Sequence, residues 1–176
     1  MSTPSQDTPE IVWQGKFITV RKRGTWEYVG RARAIGAAVI IAIVDGDVLL
    51  VEQYRVPLGG PSLELPAGLV GDTSDGEEIE VAAARELEEE TGYRPERIEI
   101  IGKFASSPGM VSETFTLVRA VGVTKVGDGG GVEGENIIVH RVPLKDISAF
   151  VAAKRAEGMF IDVKLLTLLG ADLLAG

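Results

Sequence analysis

The stretch Gly71 to Tyr93, GDTSDGEEIEVAAARELEEETGY, constrains this chain more than any other. A glycine-bearing turn leads into a segment in which Ile79, Ala83 and Leu87 recur at four-residue spacing, the apolar stripe of an amphipathic helix. Glu86 and Glu90 are four residues apart and project from one face, one turn from each other. Glu89 lies about 60° to the other side of Glu86. An acidic run on a helix is ordinarily a solvated face. Three carboxylates in one sector repel one another mildly, however, and are held most easily with cations among them. Hard divalent ions, Mg²⁺ or Mn²⁺, suit such oxygen donors and also bind phosphate.

The spacing removes much of the ambiguity. The stretch fits G-x5-E-x7-R-E-U-x-E-E-x-G-U at every position, where U is apolar or aromatic. It does so through Gly71, Glu77, Arg85, Glu86, Leu87, Glu89, Glu90, Gly92 and Tyr93. With average composition, a chance fit is on the order of 10⁻⁷ before glutamate clustering is allowed for. On these residues the chain resembles the Nudix hydrolases.

The 176 residues suffice for one domain with one sizeable core. The formal net charge of −8 argues against general attraction to nucleic acid, though not against a local basic patch. With no cysteine there is no disulfide or thiolate chemistry, which is compatible with a reducing cytoplasm, the expected location. The first ten residues lack a signal pattern, and the apolar run Ile35 to Val44 is too short to span a bilayer. No membrane partner is expected.

Three parts are expected along the chain: a loose end over 1–9, N-terminal strands over 10–34, and the main domain over 35–176. Ile11 to Val20 and Gly24 to Val29 predict a hairpin turning at Arg21–Gly24. Ile35 to Val44 and Val48 to Tyr54 predict a second, with a tight turn at Asp45–Gly46 or Gly46–Asp47. Ser62 to Leu65 reads as a short strand stopped by Pro66. The helix ends near Thr91–Gly92. Further strands are expected at Ile98–Phe104, Phe115–Val121 and Ile137–Val142, with glycine-rich residues 122–134 as a mobile loop. A helix is expected over Leu144–Glu157. Asp162 is a candidate cap for a last one, with Val163, Leu166, Leu169 and Leu173 near one side. Strands with one inserted helix and another at the end predict an α+β sandwich. The resemblance implies its form: an α/β/α sandwich of mixed and antiparallel sheets with an N-terminal antiparallel hairpin.

The chemistry that suits this pattern is attack of water on a diphosphate. Divalent ions neutralise the phosphate charge and acidify water, and a separate carboxylate takes the proton. The resemblance implies that Glu86 and Glu90 are the main metal ligands, with Glu89 close to a further ion. It implies that Arg85 orients glutamates, with Glu77 behind it. Within Pro66-Ala67-Gly68-Leu69, the Ala67 carbonyl would be a ligand and Leu69 a substrate-side position.

Pro108, sixteen residues after Gly92, and Ser107-Pro108-Gly109-Met110-Val111-Ser112-Glu113 narrow the resemblance to the ADP-ribose pyrophosphatase subgroup. Met110 departs from it, since an aromatic is common there. The resemblance makes Glu113 a metal-site or substrate-side carboxylate and gives Arg55 a phosphate contact. Thr25-Trp26-Glu27-Tyr28-Val29-Gly30-Arg31 implies that Trp26 stacks on adenine, with Phe17 opposite and Arg31 facing the diphosphate. It also implies a homodimer with exchanged N-terminal strands. The resemblance implies a base from the loop before Ile137. Aligned on bacterial members it is Glu133, with Glu135 at the metal. Aligned on the eukaryotic type, Glu135 leads. His140 reads as a packed or surface histidine. The implied reaction is Mg²⁺-dependent hydrolysis of ADP-ribose to AMP and ribose 5-phosphate, with Mn²⁺ as a substitute. A broader nucleoside-diphosphate-sugar or oxidised-guanine-nucleotide hydrolase, or a silent nucleotide sensor, are the rivals.

Overall fold

The computed structural model describes residues 8–33, 35–71, 76–132 and 134–175. In chain order the elements are β1 (Glu10–Gln14), β2 (Ile18–Arg23), β3 (Trp26–Arg31), β4 (Gly36–Val44), β5 (Asp47–Arg55), β6 (Gly60–Glu64), β7 (Ala67–Val70) and α1 (Ile79–Thr91). Then follow β8 (Tyr93–Arg94), β9 (Arg97–Ala105), β10 (Thr114–Val121), β11 (Thr124–Lys125), β12 (Ile138–Pro143), α2 (Ile147–Ala156), β13 (Phe160–Ile161) and α3 (Leu166–Ala175). The expected loose end falls largely outside the described residues.

Alternation along the strands decides the layering. Ala38, Ile40 and Ala42 of β4, Leu49 of β5, and Val118 and Ala120 of β10 turn to one side, where they pack on Ala83 and Leu87 of α1. Val39, Val48, Leu50 and Leu117 turn to the other, against Ile147 and Val151 of α2 and Leu165 and Leu169 beyond it. A period of two in every central strand therefore yields two apolar faces, each covered by helix. The result is the α/β/α sandwich, with mixed pairing: β4–β10 and β6–β13 are parallel, and their neighbours antiparallel. The alanines opposite α1 let the helix lie close to the strands.

Three local readings are corrected. The N-terminal hairpin is the second half of a three-stranded antiparallel sheet, because Gly15 and Lys16 break the Ile11–Val20 run into two strands. The β4–β5 hairpin pairs at only Ile43–Val48 and Val44–Asp47, around a turn in which Asp45 and Gly46 both have positive φ. Beyond the turn the strands part. β4 takes β7 and β10 as neighbours, while β5 takes β6 and β12. That divergence leaves a cleft between the two groups of strands. Finally, Asp162 does cap, accepting from the Lys164 N–H at 2.7 Å, but it caps a 3₁₀ turn, Val163–Leu165. Leu165 and Leu169 are buried there, and Val163 and Leu166 are exposed. Among the described residues no helix is long and apolar enough to cross a membrane.

Candidate active site

α1 and β7 build one wall of the cleft by touching. A Cβ placed on Gly68 would lie 2.0 Å from the Glu86 carboxyl carbon, so only glycine lets the strand run against that carboxylate. One residue earlier, the Ala67 N–H donates to Glu90 Oε2 at 3.0 Å. Glu90 is 6% exposed. Burial pushes its pKa up to about 8; the Ala67 hydrogen bond opposes the rise, and the charges on Glu86 and Glu135 add to it.

Arg85 holds the set from behind. Its Nη1 donates to Glu86 at 2.9 Å and to Glu89 at 3.2 Å, its Nε to Glu77 at 3.3 Å, and its Nη2 to the Leu69 carbonyl at 3.4 Å. Burial alone would lower the Arg85 pKa, but the Glu77 hydrogen bond and the charges of Glu86, Glu77 and Glu89 outweigh it and raise it. Glu77 also accepts from the Gly71 N–H, tying the turn before the helix to the same guanidinium.

The C-terminal end of α1 fixes the opposing loop. The Gly130 and Gly131 N–H groups donate to the carbonyls of Glu90 and Glu89 at 2.8 and 3.0 Å, acceptors that a helix end leaves over. Gly129, at φ +71°, lies so close that a Cβ there would come within 2.3 Å of the Thr91 backbone. The stretch expected as a mobile loop is thus bonded to the end of α1. It leads directly into Glu135, whose Oε2 accepts from the Val132 N–H at 2.9 Å. Glu133 lies outside the described residues.

One cavity of about 760 Å³ collects most of the candidates. Ala67, Leu69, Glu86, Glu90 and Glu135 line it, together with Arg55, Arg31 and Glu113. Arg31 Nε donates to Glu113 at 2.6 Å. Arg55 grips Glu64 through Nε and Nη2, both at 2.7 Å. Burial would raise the Glu64 pKa, but Arg55 holds it below the ordinary carboxylate range. Glu64 was assigned no role from sequence. Its signal is a carboxylate between Leu63 and Leu65 in a buried strand, which demands a paired cation. Gln53, Phe160, Asp162 and Lys164 close the far end, and they too were missed.

Among the described residues, four candidates do not line this cavity: Arg85, Glu89, Phe17 and Trp26. Glu89 is half-exposed on Arg85. Phe17 is 69% exposed, and Trp26 lines a separate groove with Tyr28 and Pro108. His140 is packed at the far face, its Nε2 2.8 Å from Glu52 Oε2.

No three acidic or imidazole groups among the described residues are gathered tightly enough to hold an ion by themselves. The chemistry of the donors nevertheless fits one. Glu86, Glu90, Glu135 and the Ala67 carbonyl offer hard oxygens to one cavity, and the Glu90 pKa, raised first by burial and then by the charges of Glu86 and Glu135, is one that a cation there would lower.

The comparisons agree with this architecture. The NUDIX domain model matches residues 34–162. The chain belongs to the Nudix family. It is 32% identical to the ADP-sugar pyrophosphatase of Mus musculus, over 89% of this chain and 81% of that one. It is 38% identical to the methanol dehydrogenase activator of Bacillus methanolicus and 35% to the ADP-ribose pyrophosphatase of Bacillus subtilis (strain 168). Each of these two matches covers 68% of this chain and 64% of the relative, less than two thirds of its length. A crystal structure of an ADP compounds hydrolase superposes over 99% of this chain and 96% of its own, with TM-score 0.71 and 23% identity, which shows a shared Nudix fold.

Because the Glu90 pKa lies above its ordinary 4.5, the folded metal-free chain keeps a proton that the unfolded chain loses between about pH 4.5 and 8. Stability is fullest below that window and falls as pH rises through it. Glu90→Gln is therefore expected to melt several degrees above wild type at pH 8.5 in EDTA, with the gap closing toward pH 5. A gap independent of pH would contradict the assignment.

Proposed function

We propose that this chain hydrolyses the diphosphate linkage of ADP-ribose to AMP and ribose 5-phosphate with Mg²⁺, Mn²⁺ substituting. The observation that carries this reading is the single cavity in which a carboxylate wall faces two arginines. Glu86, Glu90 and the Ala67 carbonyl would hold the principal ion, with Glu135 beside them and Glu89 toward a further one. When bound, the metal neutralises phosphate charge and acidifies the attacking water.

The remaining work falls to the chain's own groups. Arg55, pinned by Glu64, keeps Nη1 free of hydrogen bonds among the described residues and offers it to a phosphate oxygen. Arg31 does the same from the Glu113 side. Glu135 accepts the proton of the attacking water, with Glu133 as its rival. The names of the mouse and Bacillus subtilis relatives support the substrate class.

One observation favours a second reading, a broader nucleoside-diphosphate-sugar hydrolase. Phe17 and Trp26 lie outside the cavity, so a single chain does not close around a base. We propose that a homodimer with exchanged N-terminal strands completes it. The exposure of Ile11, Val12, Trp13, Phe17 and Trp26 on one small sheet supports that.

Chromatographic assay of a substrate panel with Mg²⁺ tests the reaction. ADP-ribose is expected to give the highest kcat/KM, and Glu86→Gln to lower kcat by about 10²-fold or more. A higher kcat/KM for another compound, or wild-type turnover in the variant, would overturn the reading. Sedimentation analysis is expected to show a dimer at micromolar concentration; a monomer at all concentrations would remove the exchange.

A further inference from the structure

A second cavity, of about 390 Å³, opens beside the first and shares Arg31 and Glu113 with it. It lies where the N-terminal sheet meets β9 and β10. The Val29 N–H donates to the Met110 carbonyl and the Ser112 N–H to the Val29 carbonyl, and this stitches the two parts together. β2 contributes Arg21, the end of β3 and the turn after it Arg31 and Arg33, and β9 Lys103.

The lining holds four basic side chains against one acidic one. Only Arg31 is neutralised, by Glu113. Arg21 spends its Nε on the Thr19 hydroxyl at 3.0 Å and its Nη2 on the Arg31 carbonyl at 3.4 Å. Among the described residues Arg21, Arg33 and Lys103 form no ion pair. This surplus stands out in a chain whose formal net charge is −8. Acidic partners are abundant elsewhere on the chain, yet three cations converge here without one. Charge of one sign in a concave site focuses the field and draws the opposite charge in.

We propose that this junction cavity binds a phosphate monoester through Arg21, Arg33 and Lys103, with Arg31 shared between the two cavities. Guanidinium forks match phosphate oxygens and the lysine adds a point charge. A phosphate monoester carries about −1.5 to −2 charges at neutral pH, which offsets half or more of the three unpaired positive charges. The group has two possible sources: a second phosphate borne by a substrate that spans both cavities, or a free monoester. The binding site stands without the hydrolase reading; its link to substrate choice rests on that reading.

Calorimetric titration of ribose 5-phosphate into metal-free protein tests the site, with EDTA removing any ion that would hold the phosphate in the first cavity and the R33A/K103A comparison separating the two cavities. Wild type is expected to bind saturably, and the doubly substituted R33A/K103A at least tenfold more weakly. K145A/R155A, which removes the same charge from a distant exposed surface, is expected to bind like wild type. Melting curves of all three confirm folding. No saturable binding, or equal binding by all three, would overturn the site. A second arm compares kcat/KM for two diphosphate substrates that differ only by a terminal phosphomonoester. Lower preference for the phosphorylated one in R33A/K103A, by tenfold or more, assigns the site to substrate. Unchanged preference with lost ribose 5-phosphate binding assigns it to free monoesters. If neither substrate is cleaved, the hydrolase reading fails while the titration still decides the site.

Discussion

The contact between the β7 backbone and the carboxylate face of α1 governs the rest of this molecule. It brings Glu86 against Gly68 and Glu90 under the Ala67 N–H, and so moves acidic groups out of water. Such a wall is unfavourable unless its charge is answered. One guanidinium, Arg85, answers Glu77, Glu86 and Glu89, but Glu90 keeps only a backbone donor and the more distant Arg55. The uncompensated remainder is what suits the wall to a divalent ion.

The fold serves that contact. Alanines on β4 and β10 make room for α1, and the parting of β4 from β5 opens the cleft in front of it. The glycine-rich segment then closes the helix end through backbone N–H groups. This couples the segment that leads to Glu135 to Glu89 and Glu90, and the Glu90 side chain lines the cavity. Wall, cleft and loop are therefore one mechanical unit. The Arg55–Glu64 pair matters to the same wall, since truncating Arg55 would leave the buried Glu64 carboxylate unpaired.

Much of this was legible in the chain itself. The period of α1, the positions of the main strands and the set Glu86, Glu90, Ala67, Arg55, Arg31, Glu113 and Glu135 follow from spacing and from likeness to the family, and these side chains line one cavity. What was not legible depends on distant pairing. Alternation says that β4 and β5 join at a turn, but not that they leave each other two residues later. A glycine run reads locally as freedom, whereas its backbone has helix carbonyls to satisfy. Asp162 reads as a cap, and it is one, yet its place at the far end of the cavity comes from the parallel pairing of β13 with β6. Trp26 is the plainest gap, because it lines a groove apart from the cavity that gathers the carboxylates.

Burial keeps Glu90 protonated at neutral pH in the metal-free chain, and an ion bound by its carboxylate would displace that proton to the buffer. Titration of Mn²⁺ into the protein at pH 7, repeated in buffers of different ionisation enthalpy, measures that exchange directly. The account predicts saturable binding with release of close to one proton per ion, and loss of that release in Glu90→Gln. Absence of binding, or the same proton release from the variant, would contradict it.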